Sequence, residues 1–449
     1  MTLINTNKIS SLKSKKTYLN EKLIIFLFSF LPISFILGNT AINSNILVID
    51  VFFLLTCYNQ RNWSWIKNKY LYFFFIIWIY LIFNSIISTN IIDPITKTST
   101  FDAIRNEIIF PRKESIIRSI GFLRFIIFLF AFEYFFIHSK KLFNKIYFYW
   151  FIIIFVILFD IIFERIFGHN LLNFKSPSPH RIVSFFKDEL VVGGLLLGFS
   201  FLIIGFLFDT TNNKLEKKIL SNIFFILTIV CIYLTGERSN FIKALIIGST
   251  IIFILGNSHL YLKKKYIFLL IIAGIVLPTL MSKDIYHRQI GFFKRIQRYD
   301  HVSLYKKLGH LKHFAHYETA WQIFRDYPIS GIGNSKFRYI CHDKKYYNAK
   351  IKLSDVRCSN HPHQVHLEIL SEQGILGYLI IFFTIFHLLF NSFKAYRKTN
   401  NINHLSSILF AVAFFIPLLP SGSFFSTFNA SIFWINLSIA HAFLSKSKE

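Results

Sequence analysis

Long apolar runs alternate with short clusters of lysine and arginine along most of the chain. The runs fall near 23–38, 41–57, 70–88, 117–137, 146–163, 190–208, 220–234, 241–256, 265–281, 374–392, 405–419 and 424–444. Each approaches the ~20 residues that a helix needs to cross a bilayer. Many are apolar on every side, without the polar stripe of a helix that faces water. The pattern predicts an all-α integral membrane protein with about twelve transmembrane helices. It divides the chain into a tail over 1–22, nine spans within 23–281, a large, mostly helical loop over 282–366, and a helix start with three more spans over 367–445.

The basic clusters orient these spans. Arg61, Lys67 and Lys69 follow the second run, Lys140, Lys141 and Lys145 the fourth, and Lys214, Lys217 and Lys218 the sixth. Lys263, Lys264 and Lys265 follow the eighth, Lys394, Arg397 and Lys398 the tenth, and Lys446 and Lys448 the twelfth. Short loops rich in lysine and arginine stay in the cytoplasm. One rule therefore puts both termini inside and the loop at 282–366 outside, before the tenth span. The basic start, with Lys8, Lys13, Lys15, Lys16 and Lys22, leads into the first run without a small-residue cleavage site and is expected to remain as a cytoplasmic tail.

Composition agrees with the membrane class. Hydrophobic residues make up 53% of the 449 and charged residues only 16%, against about 25% charged in soluble domains. The net charge of +27 invites a nucleic-acid reading. The cations, however, sit largely at the ends of apolar runs, where membrane anchoring needs them, and no nucleic-acid motif is present. No Gly-rich nucleotide loop supports ATP-driven transport, and no cofactor is implied.

Of the four cysteines, Cys57 and Cys231 fall in spans and are expected to be inert packing residues. Cys341 and Cys358 share the outer loop, where an oxidising compartment would favour a disulfide. The segment from Cys358 through His361, His363 and His366 carries ligand types for a metal, but its spacing matches no structural zinc pattern. No metal is expected there.

Three places can carry chemistry. Pro362 suits the first position of a helix, so the sequence predicts a helix from there in which His363, His366, Leu370, Gly374 and Gly377 share one face. The two glycines would let a neighbouring helix approach. His363 would then stand at the water–lipid boundary, where an imidazole can exchange protons near neutral pH. The second place is Thr235-Gly-Glu-Arg238, between the seventh and eighth spans. A helix start together with Arg238 makes a cradle for a diphosphate; pairing with Glu237, or snorkelling to the headgroups, is the plainer role. The third is the segment after His180, which sets Arg181 and Lys187 just outside the sixth span as phosphate ligands or surface cations.

At these residues the chain resembles the O-antigen ligase and O-antigen polymerase family. His363-Gln-Val-His-Leu-Glu-Ile-Leu-Ser-Glu-Gln-Gly374-Ile-Leu-Gly377 is similar to its pattern of His-Asn, Leu-Glu and Glu-x-Gly-x-x-Gly, with Gln364 in place of Asn. Pro328-Ile-Ser-Gly331-Ile-Gly333 is similar to its Pro-x-x-Gly-x-Gly loop. Leu234-Thr-Gly-Glu-Arg238 resembles its Thr-Gly-Ser-Arg turn, with Glu237 replacing Ser. The resembling region covers approximately 180–390.

The resemblance implies a metal-independent glycosyltransferase in the bacterial inner membrane, multi-pass, with its site facing the periplasm. Its donor would be a polyprenyl-diphosphate-linked glycan and its acceptor a lipid A–core sugar. Arg238, and secondarily Arg181, would bind the donor diphosphate, and His363 would act as base toward the acceptor hydroxyl. The alternatives are a polymerase of O-antigen or exopolysaccharide using the same donor, a protein O-glycosyltransferase, and a transporter of lipid-linked glycan. Against the transporter, no span shows a clear ionisable pair at mid-depth: Asp160 and Glu164 lie near a span end and Asp50 is isolated.

Overall fold

A computed structural model describes residues 21–88, 109–138, 140–178, 180–210, 215–255, 260, 262–291 and 303–447. Among the described residues the chain is helical, with no strand. Helix α1 covers 21–29 and is followed by α2 (Leu31–Leu37), α3 (Asn39–Gln60), α4 (Lys69–Ile87), α5 (Ile109–Gly121) and α6 (Leu123–His138). Next come α7 (Lys140–Phe167), α8 (Val192–Asp209), α9 (Leu215–Leu234), α10 (Arg238–Ile254) and α11 (Lys264–Met281). Short helices α12 (Lys283–Gln289), α13 (Leu304–Leu308), α14 (Lys312–Asp326) and α15 (Phe337–Ile340) build a cap. The chain closes with α16 (Val365–Thr399), α17 (Ile402–Phe414) and α18 (Thr427–Lys446).

Each of the twelve apolar runs coincides with helix over most of its length. Among the described residues, eight helices are long and apolar enough to cross a membrane, which makes this a multi-pass membrane protein. The other four runs fall short for visible reasons. The first breaks at Phe30, ahead of Pro32. Helix α10 has 17 residues and α17 only 13. Helix α18 has 20, but Asn429, Ser431, Asn436, Ser438 and His441 dilute its apolar character. The eleventh run unwinds after Phe414, where Pro417 and Pro420 cannot continue a helix. The expected tail at 1–20 and most of the loop at 89–115 lie outside the described residues.

Helices α8, α17 and α18 form the interior of the bundle, and α11 lies at its edge: 78% of the apolar window of α8 is buried, against 11% for α11. Asp209, at the end of α8, accepts from the amides of Ile402 and Asn403 at 2.8 Å each. These are donors that a helix start otherwise leaves open, so the carboxylate fixes where α17 begins. Above the bundle the cap has its own small core, from Ala320, Ile323, Ile332, Phe337, Ile340, Cys341 and Tyr346, which Leu367 of α16 joins from below.

Candidate functional site

The turn between α9 and α10 gathers three arginines. Gly236 sits at φ +75°, and a Cβ there would lie 2.8 Å from the His180 carbonyl oxygen and 3.3 Å from Cγ of both Arg181 and Arg288. The missing side chain is what lets those two arginines close over the turn. Arg288 Nε donates to the Gly236 carbonyl at 2.9 Å, and Arg238 opens α10 on the far side of Glu237. The first amides of α10 have no acceptor within the helix and point toward this turn.

Glu237, the departure from the Thr-Gly-Ser-Arg pattern, holds the turn together. Its carboxylate accepts from the Gly193 amide at 3.0 Å and from Asn240 Nδ2 at 2.6 Å, and it lies 3.5 Å from Arg181. Burial pushes its pKa up while the charge of Arg181 opposes that shift. The segment carrying Arg181 is pinned from α7: Asp160 accepts from Ser184 Oγ and the Leu171 amide, and Glu164 from the amides of Ser184 and Val183. These two carboxylates anchor a loop. Lys187 is exposed and lies over the Phe174 ring, a surface position.

His363 does not begin a helix. It stands at φ +60°, and α16 starts two residues later at Val365, capped by Gln364, whose side chain accepts from the Leu367 amide at 2.8 Å. A left-handed conformation is uncommon for a residue other than glycine, and here three segments hold it. Ser421 N–H donates to the His363 carbonyl at 2.8 Å, Tyr317 Oη–H at 3.4 Å, and His363 Nε2 meets Ser359 Oγ at 3.0 Å. Pro362 precedes the helix rather than opening it.

The shared helical face is likewise interrupted. At Gly374 (φ +64°, ψ −172°) the helix breaks, and a Cβ there would fall 2.2 Å from the Ile329 carbonyl oxygen. What approaches is therefore the backbone of the Pro328–Gly333 loop, not a helix. That loop takes up the freed groups: Ile375 N–H donates to Pro328 O at 2.8 Å, and Ile332 and Gly333 N–H donate to Ser371 and Glu372 O at 3.0 and 2.8 Å. Glu372 adds its carboxylate, accepting from the amides of Ser335 and Phe337. A helix does approach at Gly377, through Tyr80 of α4. Two motifs that are separate in sequence thus form one joint under the cap.

Around His363 the structure assembles its sequence neighbour His361 with two histidines that sequence reasoning did not group with it, His313 and His316. The ring centre of His363 lies 4.1 Å from that of His361, 5.0 Å from His313 and 5.1 Å from His316. His313 and His316 project from one side of α14, three residues apart. His316 is fully buried, and its Nε2–H donates to the Val356 carbonyl at 3.0 Å. Burial first, then the neighbouring rings and Lys312, push the His363 pKa down to about 2; burial likewise takes His316 and His361 to about 4.

His313 links this cluster to the arginine turn. Desolvation and the charges of Lys312, Arg238, Arg288 and Arg181 lower its pKa to about 4. Much of its ring is exposed, so the cationic contribution is the one the geometry supports. Arg288 and the two histidines of α14 had no recognisable motif around them; a basic, His-rich loop was the only available signal.

His366 behaves differently. Its Nε2–H donates to the Phe415 carbonyl at 2.7 Å and Nδ1 accepts from Tyr378 Oη–H at 2.9 Å, so both nitrogens are committed to packing. Cys341 and Cys358 are joined as a disulfide, with Cα atoms 5.3 Å apart, which removes Cys358 from any metal set with His361 and His363.

A multi-pass helical membrane protein with a cap that faces a cation-lined turn with a histidine cluster is the class that the fold and site define. Residues 223–382 match the family described as O-antigen ligase. This match supports an O-antigen ligase family assignment and a role in glycan transfer during O-antigen processing. The matched segment contains Arg238, Arg288, the cap histidines and His363, and leaves Arg181 outside. No curated protein matches the chain.

Proposed function

We propose that the protein transfers a glycan from a polyprenyl-diphosphate carrier to a sugar hydroxyl of lipid A–core at the periplasmic face of the inner membrane. This reading is supported by His313, whose ring lies 5.0 Å from that of His363 and which is within electrostatic reach of Arg238, Arg288 and Arg181. The arginine side suits an anionic leaving group and the histidine side suits a hydroxyl that must lose a proton.

In the reaction, the acceptor oxygen attacks the anomeric carbon of the donor glycan. The bond from that carbon to the diphosphate oxygen breaks, and its electron pair leaves with the diphosphate. Arg238, Arg181 and the open amides of α10 face the charge that grows there, where fixed donors lower the barrier most. The hydroxyl proton passes to His363. In the tautomer whose Nε2–H donates to Ser359 Oγ, Nδ1 carries the lone pair that receives it. A pKa near 2 makes a neutral acceptor but a weak base. A docked diphosphate supplies the opposite charge that raises it again. No metal takes part in these steps.

The overall orientation follows the lysine and arginine clusters of the even-numbered loops. Transfer from a defined donor to lipid A–core, to a second lipid-linked glycan and to peptide distinguishes ligase, polymerase and protein glycosyltransferase. In a deletion strain, outward-facing lipid-linked glycan accumulates if the protein is a transferase. Its disappearance instead would mean a transporter.

A further inference from the structure

We propose that His313, His316 and His363 form a site for a borderline transition-metal ion, zinc or nickel in type, whose occupancy takes His363 out of the transfer reaction. One ring nitrogen of each lies within 4.8 Å of those of the other two. Three imidazoles bound tetrahedrally at ~2.0–2.1 Å bring their ring centres to roughly 5 Å from one another. The observed separations are 5.0 Å for His313–His363, 5.1 Å for His316–His363 and 5.8 Å for His313–His316. The rings are thus spaced close to a coordinated set.

His316 supplies the second observation. The residue is fully buried, its Nε2–H is spent on the Val356 carbonyl, and its Nδ1 has no hydrogen-bond partner. A buried polar atom left unsatisfied is costly. A carbonyl that fixes the outer N–H of a histidine is also the usual support of a metal ligand.

The chemistry of the set limits the ion. Three imidazoles without a carboxylate suit zinc, nickel or copper and not magnesium or calcium, which take oxygen ligands. Arg181, Arg238, Arg288 and Lys312 act on the same cluster and oppose a dication, so the site is expected to be a reversible one. Bound, the ion occupies the His363 lone pair, and transfer stops until it leaves. The inhibitory part rests on the role proposed for His363; the binding part does not.

The test uses untagged full-length protein in detergent, stripped with chelator and titrated with zinc, and with cobalt(II) as a spectroscopic substitute. One equivalent should bind, with the visible absorption of a tetrahedral cobalt site, and magnesium should not compete. His316→Gln and His313→Gln should each weaken binding by at least the roughly 10–100-fold that loss of an outer partner causes. Zinc binding unchanged in both variants, or no stoichiometric binding to the wild type, overturns the site. Because the cobalt spectrum is read on the wild type, the site stays testable even where a variant fails to fold. In the transfer assay zinc should inhibit and chelator restore. Full transfer with zinc bound rejects the inhibition alone, whereas absence of transfer under every condition counts against the proposed reaction.

Discussion

The rings of His363 and His313 lie 5.0 Å apart, one from the strained segment before α16 and the other from α14 of the cap. His313 in turn feels Arg238, Arg288 and Arg181. This contact joins the histidine cluster to the arginine turn, and under the proposed mechanism it makes the position of the cap a condition of transfer.

The arginine turn can be tested by shape as well as charge. Arg238→Lys keeps the charge and loses the planar fork that grips a diphosphate, so transfer should fall by about tenfold or more. Arg181→Lys should do less, since Arg181 also donates to Leu190 O and pairs with Glu237. Transfer rates measured with membranes of equal protein content decide this; an Arg238→Lys rate equal to wild type contradicts the cradle.

The joint under the cap should be intolerant of a single methyl. Gly374→Ala places a Cβ against the Ile329 carbonyl in a backbone region nearly closed to other residues, which costs about 1–3 kcal/mol from conformation alone. The variant should unfold at lower temperature than wild type in the same detergent. An unchanged unfolding temperature would contradict the observed break.

Much of this was legible in the sequence, and the losses have physical causes. Apolar runs marked the helices because lipid demands them. Fewer clear spans than apolar runs emerge because α10 and α17 are short and α18 carries several polar residues. Arg238 and His363 were visible as motif residues. His313, His316 and Arg288 were not, because only the folded cap sets them beside His363 and Gly236. The helix expected from Pro362 failed because helical spacing cannot reveal a break at Gly374 or a cap at Gln364.

Acid should loosen the cap. His316 and His361 are held near 4 in the folded protein, below the ordinary histidine value of about 6.5. Their neutral forms therefore contribute fully above about pH 6.5, and that contribution is lost as pH falls toward 4. Thermal stability should drop across this window, and His316→Gln should flatten the drop. Parallel pH profiles for the two proteins would show that His316 is not among the groups responsible.

The disulfide should matter for the same segment, since Cys358 lies just before His361 and His363. The bridge spans a sequence separation of 17, and closing a loop of that order stabilises by ~3 kcal/mol in the chain-entropy account. Non-reduced peptide mapping should recover Cys341 linked to Cys358, and Cys358→Ser should lower both cap stability and transfer. Two freely alkylated thiols in protein from its native membrane contradict the pairing.

Reporter fusions test the orientation on which the site depends. Fusions near Lys217 and Lys398 should report cytoplasm and one near Lys350 the periplasm. A cytoplasmic signal at Lys350 would put the cap on the wrong side for a periplasmic acceptor.

The central claim is that His363 takes the acceptor proton beside the arginine turn, and one assay reaches it most directly. Transfer from polyprenyl-diphosphate glycan is measured for wild type and His363→Ala, with chelator present and folding checked independently. His366→Ala and Lys345→Ala serve as comparisons, because His366 is committed to packing and Lys345 pairs with Asp326 at 3.0 Å. His363→Ala should lose about 10²–10⁴-fold in rate, the comparison variants should lose much less, and wild type should work fully in chelator. Near-normal transfer by folded His363→Ala would contradict the role of His363 as the base.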